Sequence, residues 1–334
     1  MGGDRGPLEV AQGVVDAARR SDAHFYLVGN PADLKAEVAR VRLRNLELVP
    51  ATEVIEMGEQ PALAFRKKSD ASVVVGARMV KERQAEALVT IGNTGAAMAV
   101  SLLTLGRIKG IDRPAIATPL PSLTGTVVLL DAGATVDCDP NNLYEFAIMG
   151  CIYAQQVLGI ARPRLGLLSN GEEASKGNDL VKRTHELFKQ AFDGKEDRLV
   201  EFIGNVEGRD LFRGGVDVVV CDGFVGNVVL KTGEGVAELV LKLIKQELGS
   251  HAWMKPLLAP LMPALRRLRR RVDYAEYGGA PLLGVNGIVI IGHGRSDAYA
   301  ITNACRAAER AIEHNVLEKI HERICETPPP PPLQ

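Results

Sequence analysis

Strand-like apolar runs in this chain break again and again at turns of glycine, asparagine and a charged residue, a rhythm that restricts the fold more than any other feature. The turns are Gly92-Asn93-Thr94-Gly95, Asp131-Ala132-Gly133-Ala134, Asn170-Gly171-Glu172-Glu173 and Gly204-Asn205-Val206-Glu207-Gly208. Three more are Asp222-Gly223-Phe224-Val225-Gly226-Asn227, Gly284-Val285-Asn286-Gly287 and Gly292-His293-Gly294. In an open parallel sheet, ligands bind outside the carboxyl ends of the strands, where such turns gather. Glycine admits close backbone approach, and asparagine offers both a donor and an acceptor. The seven turns predict one shared polar site for an anion and a longer substrate.

Helical periods alternate with the short strands. Helices are expected over 10–21, 34–42, 96–105, 143–157 and 179–192, with an amphipathic helix over 236–248 after a Gly233-Glu234-Gly235 turn. Strands are expected over 25–27, 46–49, 73–75, 87–91, 115–118, 127–130, 165–168, 200–203, 216–221 and 288–291. Strands separated by helices imply crossovers and an α/β fold, its mostly parallel sheet covered on both faces. No linker divides the chain, so residues 1–325 read as one catalytic domain. A helical protrusion is expected at about 245–275, and the proline-rich tail, 326–334, lies outside the fold. From Trp253 to Arg271 three prolines interrupt a long apolar stretch that ends in five arginines within six positions.

Net charge is −1, so bulk electrostatics give no reason to expect nucleic acid. No apolar run is long enough to span a bilayer, and the N-terminus lacks the apolar core of a signal peptide, so a cytoplasmic protein is expected. The five cysteines include no C-x-x-C pair, which argues against a disulfide framework and a cysteine-built zinc site.

Neither a Walker A motif nor a complete G-x-G-x-x-G is present, and there is no G-x-S-x-G elbow. The turn at Asn93, Thr94 and Gly95 opens a helix of small residues, which suits an anion; Asn93 or Thr94 could equally be an ordinary N-cap. Lys176 sits between two glycine turns, where it could reach a carbonyl or phosphate oxygen or simply be solvated. Lys231 could pair with Asp222 or with a ligand, and His293 could donate to a phosphate or make a structural hydrogen bond. Aspartates on both sides of Cys138 disfavour a thiolate nucleophile. The carboxylates Glu172, Glu173, Glu207, Asp210 and Asp222 show no metal-ligand spacing.

Taken in order, the segments IGNTGA from Ile91, RPAIAT from Arg113, DAGATVDCDP from Asp131 and GEEASKGN from Gly171 form a specific set. It continues with IGNVEGRD from Ile203, DGFVGNVVLKTGEG from Asp222, YGGAPLLGVNG from Tyr277 and GHGRSDAYAITNA from Gly292, after Met-Gly-Gly-Asp at the start. This set resembles the phosphate acyltransferases of bacterial phospholipid synthesis over nearly the whole chain. The resemblance implies a three-layer α/β/α fold like that of isocitrate and isopropylmalate dehydrogenases and of phosphotransacetylases. It also implies a homodimer associated peripherally with the cytoplasmic membrane, and neither metal nor nucleotide cofactor. The implied substrates are acyl carrier protein, carrying a fatty acyl group, and inorganic phosphate. The acyl phosphate product would serve the downstream glycerol-3-phosphate acyltransferase. The chain departs from the pattern in beginning at the Met-Gly-Gly-Asp turn without a preceding apolar strand, in Thr135 where asparagine is usual, and in Ser169-Asn170.

Phosphate is already a usable nucleophile near neutral pH, so such a reaction needs positioning and oxyanion stabilisation more than acid–base machinery. Asn93, Thr94 and Gly95 are then expected to hold phosphate and Lys176 to stabilise the oxyanion, with Asn205 and Asn227 orienting the thioester. Asp222, Lys231 and His293 would complete the polar wall. Trp253, Leu257, Leu258 and Leu261 with Arg266, Arg267 and Arg270 would meet an anionic membrane or carrier protein. A packed helical hairpin at a dimer interface is the plainer alternative for that stretch. A phosphotransacetylase using acyl-CoA, a metal- and NAD-dependent dehydrogenase and a non-catalytic membrane or carrier-protein adaptor are the rival functions.

Overall fold

The structure is a computed structural model that describes residues 2–56, 58–192, 200–250, 263 and 276–326. Helix α1 (Pro7–Ala18) and α2 (Pro31–Val41) alternate with strands β1 (Phe25–Gly29) and β2 (Leu46–Pro50), which pair in parallel as a small sheet. Helices α3 (Pro61–Lys67) and α4 (Ser72–Lys81) lead to β3 (Ala87–Ile91) and α5 (Thr94–Leu105). The chain then runs through β4 (Ala115–Ile116), β5 (Thr118–Ser122), β6 (Gly125–Leu130) and α6 (Pro140–Leu158). It continues with β7 (Arg164–Leu168), α7 (Asp179–Phe192), β8 (Glu201–Val206), α8 (Asp210–Arg213) and β9 (Val218–Val220). Helix α9 (Gly223–Ser250), strands β10 (Ala280–Leu283) and β11 (Ile288–Gly292), and helices α10 (Ala298–Glu313) and α11 (Val316–Glu326) complete the described elements.

Two larger sheets carry the architecture, in the orders β3-β11-β10-β4 and β5-β6-β9-β7-β8. The expected mostly parallel arrangement holds: β3–β11, β6–β9, β7–β9 and β7–β8 are parallel, while β4, β5 and β10 pair antiparallel. The strand surface is, however, divided among separate sheets. The chain passes between the two larger ones at Ala117, whose amide donates to Pro281 O while Ala132 N donates to Ile116 O.

The central strands are fully buried, with Val218, Val219 and Val220 all inaccessible, so apolar β-branched residues on both faces select a covered strand. Helix α6 packs on that sheet through Phe146, Ala147, Met149 and Cys151, each side chain of Phe or Met size contributing about 2–3 kcal/mol. Its start is fixed by a capping box between Asp139 and Asn142, with Pro140 in the first turn.

Three local expectations fail for physical reasons. Val73–Val75 lies in α4, because Val74, Ala77 and Val80 recur at helical spacing against the core beneath β3. Gly233-Glu234-Gly235 is no turn but the middle of α9, which begins at Gly223 and takes in the following amphipathic stretch. Gly284–Gly287 joins antiparallel β10 and β11, and so lies at the edge opposite the carboxyl end of β11. There Asn286 donates to Arg107 O and accepts at Oδ1 from His321 Nε2. That turn serves packing and does not join the other six. Trp253, Leu257, Leu258, Leu261, Arg266, Arg267 and Arg270, most of the expected protrusion and the tail beyond 326 lie outside the described residues.

Candidate active site

The turns after β6, β9, β7 and β8 line one edge of the five-stranded sheet in that order, neighbouring strands being about 4.8 Å apart. Asp131, completely buried at the end of β6, organises the first of them. One carboxylate oxygen accepts from the amides of Ile116 (2.8 Å), Gly133 (3.1 Å) and Ala134 (3.0 Å), and the other from Thr135 (2.6 Å). Burial pushes this carboxyl up, and the four amide donors oppose that shift.

Helix α9 starts directly on this turn. Asp222 caps it by accepting from Val225 N (2.9 Å). A methyl group on Gly226 would lie 1.9 Å from Asp131 O, so only glycine permits the approach. At Gly133, with φ of 130°, an added Cβ would stand 3.5 Å from the Asn227 side chain, which places exposed Asn227 over the Asp131 turn.

The next strands carry the 170–177 loop. Asn170 accepts from Gly177 N (2.9 Å), and Lys176 N donates to Glu173 O, closing the loop with an exposed Lys176 side chain. Among the described residues the Lys176 ammonium has no salt-bridge partner. Asn205 is buried, its amide donating to Glu173 O (3.0 Å) while its oxygen meets His185 Nδ1 at 3.0 Å. That oxygen can only accept, so His185 donates through Nδ1. Asn205 thus anchors the lysine loop from behind. Arg209 ties the same rim together through Glu172 (3.2 Å) and Glu207 (3.0 Å), and Asp210 accepts from Glu207 N. Glu172, Glu207, Asp210 and Asp222 are therefore engaged in rim contacts, and no group able to hold a metal occurs among the described residues.

Strands β3 and β11 bring their carboxyl ends together at the second sheet. Asn93 caps α5 by accepting from Ala96 N (3.0 Å) and donates to Glu56 O (3.2 Å), so the ordinary capping role is realised. The amides of Thr94 and Gly95 are first-turn donors used neither by the helix nor by that cap, and the Thr94 side chain is exposed. Gly2 crosses Gly92 closely, and Asp4 N donates to Gly294 O (2.8 Å), which seats the N-terminal turn over β3 and β11. His293 accepts from Arg295 N at Nδ1 (3.1 Å), a geometry that leaves the proton on Nε2. Burial, then the neighbouring Lys231 and Arg295 charges, hold its pKa below 6.5, with Glu234 and Asp4 opposing. Lys231 pairs with Glu234 (2.9 Å) rather than with Asp222.

Helix α9 joins the two edges: Asn227 lies over the Asp131 turn, and Lys231, one helical turn further on, acts on His293. Ala96 and Ala97 of α5, Ala132 and Leu230 of α9 share one apolar cluster beneath them. Helix α9 thus carries Asp222, Asn227 and Lys231 from the Asp131 turn towards His293, while Asn93, Thr94 and Gly95 open α5, whose Ala96 and Ala97 belong to the same apolar cluster. Lys176 lies on the loop that follows β7, the strand beside β9, with Asn205 of β8 buried behind it. Cys138 contributes no nucleophile: its thiol donates to Thr135 O (3.3 Å), and burial with Asp131 nearby pushes it up to about 12. Sequence reasoning did not single out Asp131 or His185 as site residues. Asp131 leads a glycine turn, which is a usable signal; His185 sits in an unremarkable amphipathic helix and carries none.

The fold is that of an α/β protein, most of whose glycine turns gather at the carboxyl ends of its parallel strands. Its fold is similar to a phosphotransacetylase from Streptococcus pyogenes, with a TM-score of 0.59, 18% identity and coverage of 92% of this chain and 93% of that one. The EutD phosphotransacetylase from Staphylococcus aureus is similarly related, with a TM-score of 0.57, 16% identity and coverage of 91% and 92%. At these identities the likeness is one of fold. The family described as "Fatty acid synthesis protein" matches residues 1–319, and the chain belongs to that family. Phosphate acyltransferase of Pelotomaculum thermopropionicum is 51% identical, covering 97% of this chain and 93% of that protein. Phosphate acyltransferase of Heliobacterium modesticaldum is 53% identical, covering 97% and 96%.

Proposed function

We propose that this chain transfers a fatty acyl group from the thioester of acyl carrier protein to inorganic phosphate, giving acyl phosphate and the free carrier thiol. The reading is carried by the junction that α9 makes between two edges, one with the first-turn amides of α5 and the other with an exposed lysine loop. Phosphate would sit at the amino end of α5 on the Thr94 and Gly95 amides and the Thr94 hydroxyl, with Asn93 holding that turn in shape. A phosphate oxygen attacks the thioester carbon, and the carbonyl becomes an oxyanion facing Lys176 and Asn227. Collapse breaks the carbon–sulfur bond, and the departing thiolate takes a proton from solvent, while the Nε2–H of neutral His293 would donate a hydrogen bond to the phosphate. Asn205 acts by fixing the loop that carries Lys176, while Asp222 and Lys231 shape the wall. Residues to about 325 act as one catalytic unit.

Among the described residues no helix is long and apolar enough to cross a membrane. Exposed Val228, Val236, Leu239, Val240 and Leu243 recur along one face of α9, which supports a homodimer contact there. The apolar and arginine-rich composition of 253–271 supports contact with an anionic membrane or carrier protein. Liposome flotation with Leu257, Leu258 and Leu261 changed to serine should lose binding; unchanged flotation discards the membrane contact. The product would pass to an acyltransferase acting on glycerol 3-phosphate.

The reaction is tested by incubating the chain with palmitoyl-carrier protein and phosphate and trapping acyl phosphate with hydroxylamine. Phosphate-dependent hydroxamate supports the proposal. Product from palmitoyl-CoA but not from the carrier protein would reassign it as a phosphotransacetylase, and no product from either would reject acyl transfer.

A further inference from the structure

A cavity of about 300 Å³ opens one helical turn beyond Thr94, between α5 and residues 134–137 after Asp131. Met98 and Leu102 of α5 line it with Pro114, Ala134 and Val136, and Arg113, Thr135 and Asp137 complete the lining. Met98 and Leu102 follow Thr94 at intervals of four residues, so all three share one face of α5. The groove therefore starts one helical turn beyond Thr94 and follows the helix from Met98 to Leu102, about 6 Å. Its apolar side is open to solvent, Val136 being 56% exposed, and its volume lies at the lower end of small-ligand pockets, about 300–1,000 Å³.

We infer that this groove receives the substrate's fatty acyl chain, and that Met98, Leu102 and Val136 set the chain length accepted. The inference rests on the proposed acyl transfer. An anion at the first turn of α5 and an alkyl chain along the Met98–Leu102 stripe place the acyl carbonyl at the junction of the two. That junction also adjoins the Asp131 turn on which Asn227 lies. Arg113, also in the lining, is paired with Asp112 at 3.5 Å.

The test compares kcat/KM for octanoyl-, dodecanoyl- and palmitoyl-carrier protein in the parent, Leu102→Trp and Val136→Trp chains. Val136 is a loop residue with room for the larger ring, so its variant guards against a folding failure at Leu102. Each methylene kept out of the groove should cost about fourfold. Palmitoyl transfer should therefore fall tenfold or more while octanoyl transfer stays within twofold. Equal change at all three lengths, or none, overturns the assignment, as does an altered oligomeric state, which would make the groove a contact between copies. A parent chain that forms no acyl phosphate at any length rejects the reaction itself and the groove with it. A parent that is active, with variants indifferent to length, rejects only the groove.

Discussion

Gly226 is the position where the described site can be broken most selectively. An added Cβ would lie 1.9 Å from Asp131 O, 2.9 Å from Asp131 C and 3.0 Å from Cys221 S. Real contacts do not fall below 3.0 Å, so the backbone must move by more than an ångström. Neither side can give easily. Asp131 is held by four amides, and the Cys221 amide and carbonyl are bonded to Leu130 and Asp131. Overpacking of this kind costs about 3 kcal/mol or more, while the better helix propensity of alanine returns about 1 kcal/mol. Gly226→Ala should therefore lose about 2 kcal/mol or more of stability. Gly235, in the same helix, has nothing within 4 Å of an added Cβ, so Gly235→Ala should instead gain about 0.5–1 kcal/mol. Denaturant titration followed by far-UV circular dichroism reads both. Displacing Asn227 by an ångström should also cost about 10²-fold in acyl phosphate formation, an effect absent from Gly235→Ala. Gly226→Ala within 0.5 kcal/mol of the parent and fully active would refute the contact between α9 and the Asp131 turn.

Lys176→Met should lower kcat by about 10²–10³ with little change in KM for the carrier protein, as expected when one oxyanion donor is removed; unaltered turnover would remove Lys176 from the mechanism. Because the His293 pKa is depressed in the folded chain, the unfolded state takes up its proton first as the pH falls below about 6.5. Stability should therefore decline between pH 6.5 and the folded pKa, and His293→Gln should flatten that slope in denaturant titrations; an unchanged slope would contradict the burial described. Cys138→Ala should retain full hydroxamate production, since its thiol stays protonated at working pH; loss of activity with intact folding would restore a covalent route.

The fold was legible where local chemistry and tertiary demand agree. Val218–Val220 is buried on both faces, Asp179–Phe192 is strongly amphipathic, and both were readable as drawn. Val73–Val75 was misread because β propensity is a weak preference that a helical burial pattern overrides. The glycines of α9 misled for a related reason. Glycine usually signals a turn, but Gly223 and Gly226 are needed for close packing on Asp131 and Thr135, inside a helix. Only the three-dimensional neighbour explains them. Gly284–Gly287 shows the converse limit: its composition matches the rim turns, yet strand direction, which no local pattern reveals, puts it on the far edge.

The same distinction separates the roles of the three asparagines. Asn93, Asn205 and Asn227 look alike in sequence, each beside a glycine. Asn93 spends its oxygen on a helix cap, and Asn205 spends both ends of its amide on His185 and Glu173. An amide so committed cannot turn to a substrate without leaving a buried partner unmet, at about 1–3 kcal/mol. Asn227 is exposed over the turn whose amides Asp131 gathers. In the proposed reaction, substrate contact would fall to Asn227, Thr94 and Lys176, while Asp131, Asn205 and Asn93 hold the backbone on which they stand. Such a division suits a reaction whose nucleophile arrives already charged, because rigidity of the receiving surface, more than proton transfer, lowers the barrier.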